Sequence, residues 1–153
     1  MPAPVATLGR SALRSTLRLM ARYAIDAPTL LHLVDEELTV DAAHQIVAPH
    51  SIRSAALDLL LRDVRRGERS DKEALETHER ITELKMRLLG DRVSRRTAWA
   101  LAREQDWETL RDAEYLAVAR LQADALVTVN PELAEKAKNL TPVAPLRDLL
   151  TVG

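Results

Sequence analysis

Three short apolar runs in this chain each stop at a polar or proline residue and pass directly into helix-like sequence. Residues 23–25 (Tyr-Ala-Ile) stop at Asp26, and residues 45–48 (Gln-Ile-Val-Ala) stop at Pro49. Residues 125–129 (Ala-Leu-Val-Thr-Val) are β-branched and stop at Asn130-Pro131. A strand that feeds directly into a helix is half of a βαβ unit, and repeating that unit builds a parallel sheet. Such a sheet must be covered on both faces. The expected fold is therefore α/β, with three layers and a mostly parallel central sheet flanked by helices.

The segments between these runs carry apolar residues at three- and four-residue spacing, the period of a helix with one inward face. Pro28 suits a first helical turn, and the pattern continues through residues 29–34. Ser51 opens a helix whose apolar positions are Ile52, Ala55, Ala56, Leu59, Leu60 and Val64, and Gly67 ends it. Ser70 with Glu73 three residues later has the form of a capping box. The helix it opens reads to about Leu89, since Ala74, Ile81 and Leu88 lie seven residues apart and Gly90 follows. Arg92-Val93 reads as a minimal strand or a turn, residues 97–104 as a short helix and 110–121 as another. A short helix to Lys138 and a last strand over residues 143–146 complete the domain.

A chain of 153 residues suffices for one domain with a proper core. Residues 22–150 carry the αβ pattern, and residues 1–21 stand apart as an arm and a helix. In residues 11–21, Leu13, Leu17 and Met20 share one side. That helix is either a dimer or partner contact, or an extension created by an upstream start codon. The chain has no Phe, so the core must be aliphatic. A net charge of −1 excludes strong attraction to polyanions through total charge but not a local basic stripe. Without cysteine there is no disulfide, thiolate metal site or thiol nucleophile. No apolar run reaches the roughly 18 residues of a bilayer span. Arg10, Arg14, Arg18 and Arg22 interrupt any secretory apolar core. A cytoplasmic protein with no membrane association is expected.

In a parallel sheet, ligands bind beyond the carboxyl ends of the strands, where helix N-termini also point. Asp26 and Asn130 end strands, and Asp112 opens a helix. Acidic groups gathered there can hold Mg²⁺ or Mn²⁺, which prefer oxygen ligands. A bound ion of this kind polarises a phosphoryl oxygen and supplies hydroxide for attack on a phosphodiester. Each Asp also has a plain reading as a helix cap. Two arginine runs, Arg62-Arg65-Arg66-Arg69 and Arg92-Arg95-Arg96, are either nucleic-acid backbone contacts or solvated faces. No aromatic residue reads as interleaved among them for base stacking. The four histidines lack metal-ligand spacing, and no glycine-rich phosphate loop is present.

The segment YAIDAPTLLHLV resembles the opening strand and helix of PIN domains, in which an Asp ends the first strand. RSAALDLLLRDVRRGERS is similar to a conserved helix of the toxin-type (VapC-like) members. LRDAEYLAVARLQADALVTVNPELA resembles their Asp-Ala-x-Tyr-x-Ala-x-Ala helix and the apolar strand after it, and RTAWALA the segment before it. The resemblance spans residues 22–150. It implies a PIN-like three-layer fold and an endoribonuclease that cleaves RNA with Mg²⁺ or Mn²⁺. It also implies inhibition by a small antitoxin protein, and a homodimer.

The family has four acidic positions. Transferred residue by residue, the first falls on Asp26 and the third on Asp112, while the second falls on Ala55 and the fourth on Asn130. Asn130 offers an uncharged carbonyl oxygen, and Asp58 lies one turn beyond Ala55 as a partial substitute. Glu114 is expected to stay out of the site, because Ala113 and Leu116 mark the buried side near it. Arg65, Arg66, Arg95 and Arg96 are the candidate RNA contacts. Two expectations follow: a metal-dependent endoribonuclease using Asp26 and Asp112, or a catalytically impaired module that retains dimerisation, antitoxin or RNA binding. A response-regulator-like or phosphatase-like domain would need a second acid beside Asp26, and Ala27-Pro28 supplies none.

Overall fold

The structure, a computed structural model, describes residues 20–151. The helix expected over residues 11–21 thus lies almost wholly outside the described residues. Five strands and six helices follow in the order β1 (Arg22–Ile25), α1 (Ala27–Asp35), β2 (Gln45–Pro49), α2 (Ile52–Arg65), α3 (Asp71–Glu83), β3 (Arg87–Leu89), α4 (Arg92–Gln105), α5 (Arg111–Gln122), β4 (Ala125–Val127), α6 (Pro131–Ala137) and β5 (Val143–Ala144). A 3₁₀ turn, Leu146–Asp148, ends the series.

The strands form one sheet in the order β3-β2-β1-β4-β5, and every pairing is parallel. Tyr23 lies opposite Ile46 on one side and Ala125 on the other, so β1 is the centre. The chain builds outward from β1 to β3, then returns to the far side of β1 for β4 and β5. Helices α1, α2 and α3 pack on one another, while α5 packs on α4 and against β1, β2 and β4. Right-handed crossovers combined with the reversal of strand order put these two groups on opposite faces. The reversal lies between β1 and β4, and their carboxyl ends therefore flank the crevice where this architecture binds ligands.

The core is aliphatic. Ile25, Val47, Leu126 and Val127 from the sheet are fully buried, with Leu30, Ile52 and Ile81 from one helical group and Leu101, Leu116 and Leu133 from the rest. Each such Leu or Ile contributes roughly 1.5–3 kcal/mol by leaving water. Helix α5 is buried nearly all round, from Ala113 through Ala119. Its small residues let it lie close to the sheet while α4 covers it. Among the described residues, no helix is long and apolar enough to cross a membrane.

Local chemistry moved several boundaries. The Ser70–Glu73 capping box forms as expected. The helix it opens ends at Glu83 rather than near Leu89, because Arg87–Leu89 pairs with Val47–Pro49 as the edge strand β3. Ala74 and Ile81 are core residues of α3, whereas Leu88, seven residues on, belongs to that strand. Arg92-Val93 is neither strand nor turn. It is the first turn of α4, which Asp91 caps by accepting from the Ser94 N–H at 3.2 Å. The short helix expected over 97–104 is thus a 14-residue helix. Strand β4 stops at Val127, since Thr128 turns its hydroxyl to Asp26. The last strand is Val143–Ala144, and Pro145 leads into the 3₁₀ turn.

Candidate active-site cleft

Asp26 leaves β1 in extended backbone conformation and caps α1. Its Oδ1 accepts from the Thr29 N–H at 3.3 Å and from the Thr29 hydroxyl. Its Oδ2 accepts from the Thr128 hydroxyl at 2.9 Å. The Thr29 hydroxyl oxygen in turn accepts from the Val129 N–H, and that of Thr128 from the Asn130 N–H, each at 3.0 Å. Two threonines thereby bind the end of β1 to the end of β4 across the strand-order reversal. Asp26 is 1% exposed. Burial pushes its carboxyl above the usual Asp value, and the donors Thr29 and Thr128 hold part of that shift back.

Beyond this network lies an open cleft of about 390 Å³ lined by Asp26, Ala55, Asp58, Asp112, Glu114 and Asn130, with Ser51, Ser54, Arg111 and Tyr115 among its walls. All four positions transferred from the family motif, and Asp58, meet there. Ala55 presents only a methyl group. Asp112, in the first turn of α5, lies 2.7 Å from the Lys136 ammonium of α6. The Asn130 carbonyl oxygen caps α6 by accepting from the Glu132 N–H at 3.1 Å. Burial, with the charge of Asp26 next, raises the Tyr115 hydroxyl above its ordinary value.

Glu114 corrects an expectation. It lines the cleft, and its Oε2 accepts from the Ser51 hydroxyl at 2.5 Å. The inference from Ala113 and Leu116 assumed a helix with one buried side. Helix α5 is enclosed on nearly every side, so its first turn opens only toward the strand ends, where Glu114 stands. The unbroken apolar run from Tyr115 to Ala119, longer than one helix face, was the available signal.

A divalent cation needs several converging oxygens. Among the described residues, no group of three or more His, Cys, Asp or Glu side chains is arranged to hold one. Lys136 neutralises Asp112, Asn130 turns its oxygen to α6, and Ala55 has no donor. These residues do not fit the four-carboxylate metal site that the resemblance implies. The cleft also holds the N-termini of α2 and α5 with Arg111 and two serines, beside the carboxylates Asp26, Asp58, Asp112 and Glu114.

The candidate RNA contacts separate. Arg65 ends α2 and Arg66 caps it. At 1.5 Å per residue, they stand about 20 Å along the helix from its cleft end. Arg69, from the same run, turns inward to Asp35 and Asp63, and these partners raise its pKa. Arg95 lines a depression that shares Ser51 and Glu114 with the cleft, while Arg96 lies on another surface beside Glu104 and Arg120. Because α4 begins at Arg92, Trp99 lies on the same helix as Arg92, Arg95 and Arg96. Trp99 lies one turn beyond Arg95 and Arg96 on that helix, after the run rather than within it.

No protein-family model and no curated protein matches this chain. Among solved structures, it is similar to the crystal structure of PAE2754 from Pyrobaculum aerophilum, with a TM-score of 0.63 and 22% sequence identity over 84% of this chain and 93% of that one. At that identity the likeness is one of fold.

Proposed function

We propose that this chain is a toxin-type PIN-like module that binds RNA at the strand-end cleft and whose metal-dependent cleavage is attenuated. The Lys136 ammonium, 2.7 Å from Asp112, carries this reading, together with Ala55 and Asn130 at the other two transferred positions in the cleft. Lys136 engages the Asp112 carboxylate that a metal would otherwise use, and it activates no water. A small antitoxin protein and a second copy of the chain are the partners that go with this reading. A second reading, a working Mg²⁺ or Mn²⁺ endoribonuclease, rests on Asp26 and Asp112, the two acidic positions of the resemblance that line the cleft.

An RNA cleavage assay with Mn²⁺ or Mg²⁺ separates the two. Attenuation predicts that the wild type cleaves no faster than Asp26→Asn, and that Ala55→Glu with Asn130→Asp and Lys136→Ala gains cleavage. Wild-type cleavage that disappears in Asp26→Asn and in Asp112→Asn, with both variants folded by circular dichroism, would overturn the attenuated reading in favour of the second.

A further inference from the structure

Trp99 is 62% exposed on α4, although large aromatic residues normally bury most of their surface. At 3.6 residues per turn, Arg92, Arg95, Arg96 and Arg103 all lie within about 60° of it around the helix. Glu104 lies about 140° from Trp99, on the side of the helix where it shares a depression with Arg96. Of the buried residues of the helix, Ser94 and Leu101 lie opposite Trp99, while Ala98 and Ala102 flank it at about 100° and 60° on the side of Arg95. None of the four arginines is held in a salt bridge among the described residues. Asp91, which caps the helix, interacts weakly with Arg95.

An exposed indole on a helix side with arginines that make no salt bridge among the described residues is chemistry for a single-stranded polyanion that carries flat bases. A base stacks on the ring while arginines on either side meet the phosphates before and after it. The same face is poorly suited to a second copy. A two-fold contact is isologous and would bring the arginines of both chains together without a carboxylate between them. Arg95 also continues the surface inward, because it lines the depression of about 340 Å³ that shares Ser51 and Glu114 with the cleft.

We propose that the exposed face of α4 binds single-stranded RNA, with Trp99 stacking on a base and Arg92, Arg95, Arg96 and Arg103 contacting the adjoining phosphates. The strand then runs past Arg95 toward Asp26. This inference rests on the RNA-binding reading of the cleft and adds the path by which the strand approaches it.

The test is fluorescence anisotropy of a labelled single-stranded 12-nucleotide RNA of mixed sequence, titrated with the full chain over a salt series. Trp99→Ala should weaken binding about tenfold, and Trp99→Phe should restore most of it, since stacking needs an aromatic face rather than an indole. Arg95→Gln with Arg103→Gln should reduce the slope of log K against log salt by about 1.4, because each phosphate that an arginine neutralises on a single strand adds about 0.7. Circular dichroism of each variant checks the fold, which exposed positions should leave intact. If Trp99→Ala binds like the wild type while Arg111→Ala weakens binding, the strand lies in the cleft alone, and this inference fails while the RNA-binding reading stands. If the wild type binds no RNA, both fall. Trp99-dependent binding of an acidic peptide in place of RNA overturns the inference in favour of a protein partner.

Discussion

Asp26 accepts three hydrogen bonds, and each threonine hydroxyl that donates to it is itself held by a backbone N–H. Both Asp26 oxygens thus accept a threonine hydroxyl proton. Asp26→Asn sets an amide N–H against one of these donors and should cost about 1–3 kcal/mol. The cost should depend on pH in a defined direction. Burial raises the folded-state pKa of Asp26 above 3.8, so the wild type bears a desolvation penalty at pH values above that folded pKa. The penalty fades as pH falls toward the unfolded value, and the wild type gains relative to the uncharged variant. The stability gap between the two should therefore be smaller at pH 7 than near pH 4 by urea denaturation. A gap that widens as pH rises would mean that the hydrogen bonds outweigh burial.

Three helices on one face are joined by a side chain that belongs to none of them. Arg69 follows α2 in the connection to α3, and it pairs with Asp35 of α1 and with Asp63 of α2 at 2.9 Å. It also reaches the Thr77 hydroxyl of α3 at 3.3 Å. Its side chain is largely shielded, so this network lies between a surface ion pair and a buried one. Arg69→Ala should destabilise the domain by about 1–2 kcal/mol, because two partly buried carboxylates lose their counter-ion. The wild type should also lose more stability than the variant when salt is raised, since part of its pairing is screened. Equal responses of the two proteins in a salt series of urea melts would argue against the network.

At the scale of the whole molecule, the chain beyond the last strand returns to the segment between α1 and β2. The Asp41 N–H donates to the Leu149 carbonyl and the Thr151 N–H to the Thr39 carbonyl, each at 3.0 Å, and Val40 pairs with Leu150. Leu149 is fully buried by this closure. Leu149→Ala should cost about 2–4 kcal/mol, as for other fully buried leucines. The denaturant midpoint should fall with an unchanged m-value, because the domain unfolds as one unit. A loss well under 1 kcal/mol, with protease cutting confined to residues 145–151, would show that the tail detaches on its own.

The α/β class and the end of the first strand were legible without coordinates, because that strand is an apolar run broken at Asp26; Pro49, expected to stop the second, is instead its last residue and pairs with Leu89. Asp26 at a strand end and the capping box at Ser70 were legible for the same local reason. The edge strand β3 was hidden. Three residues are too few to show a two-residue alternation, and Leu88 happened to fit a helical spacing that only the pairing with β2 overrules. The start of α4 was hidden behind a single capping contact at Asp91, and with it the company that Trp99 keeps. Sequence similarity brought Asp26, Ala55, Asp112 and Asn130 together as positions. The partners of these residues were decided only by the tertiary structure: Lys136 on Asp112, α6 on the Asn130 oxygen and Ser51 on Glu114. Local sequence sets which backbone conformations are allowed, and those preferences act over a few residues. The charge and hydrogen bonding of a cleft depend on side chains from segments far apart in the chain, which meet only once the sheet has closed its order.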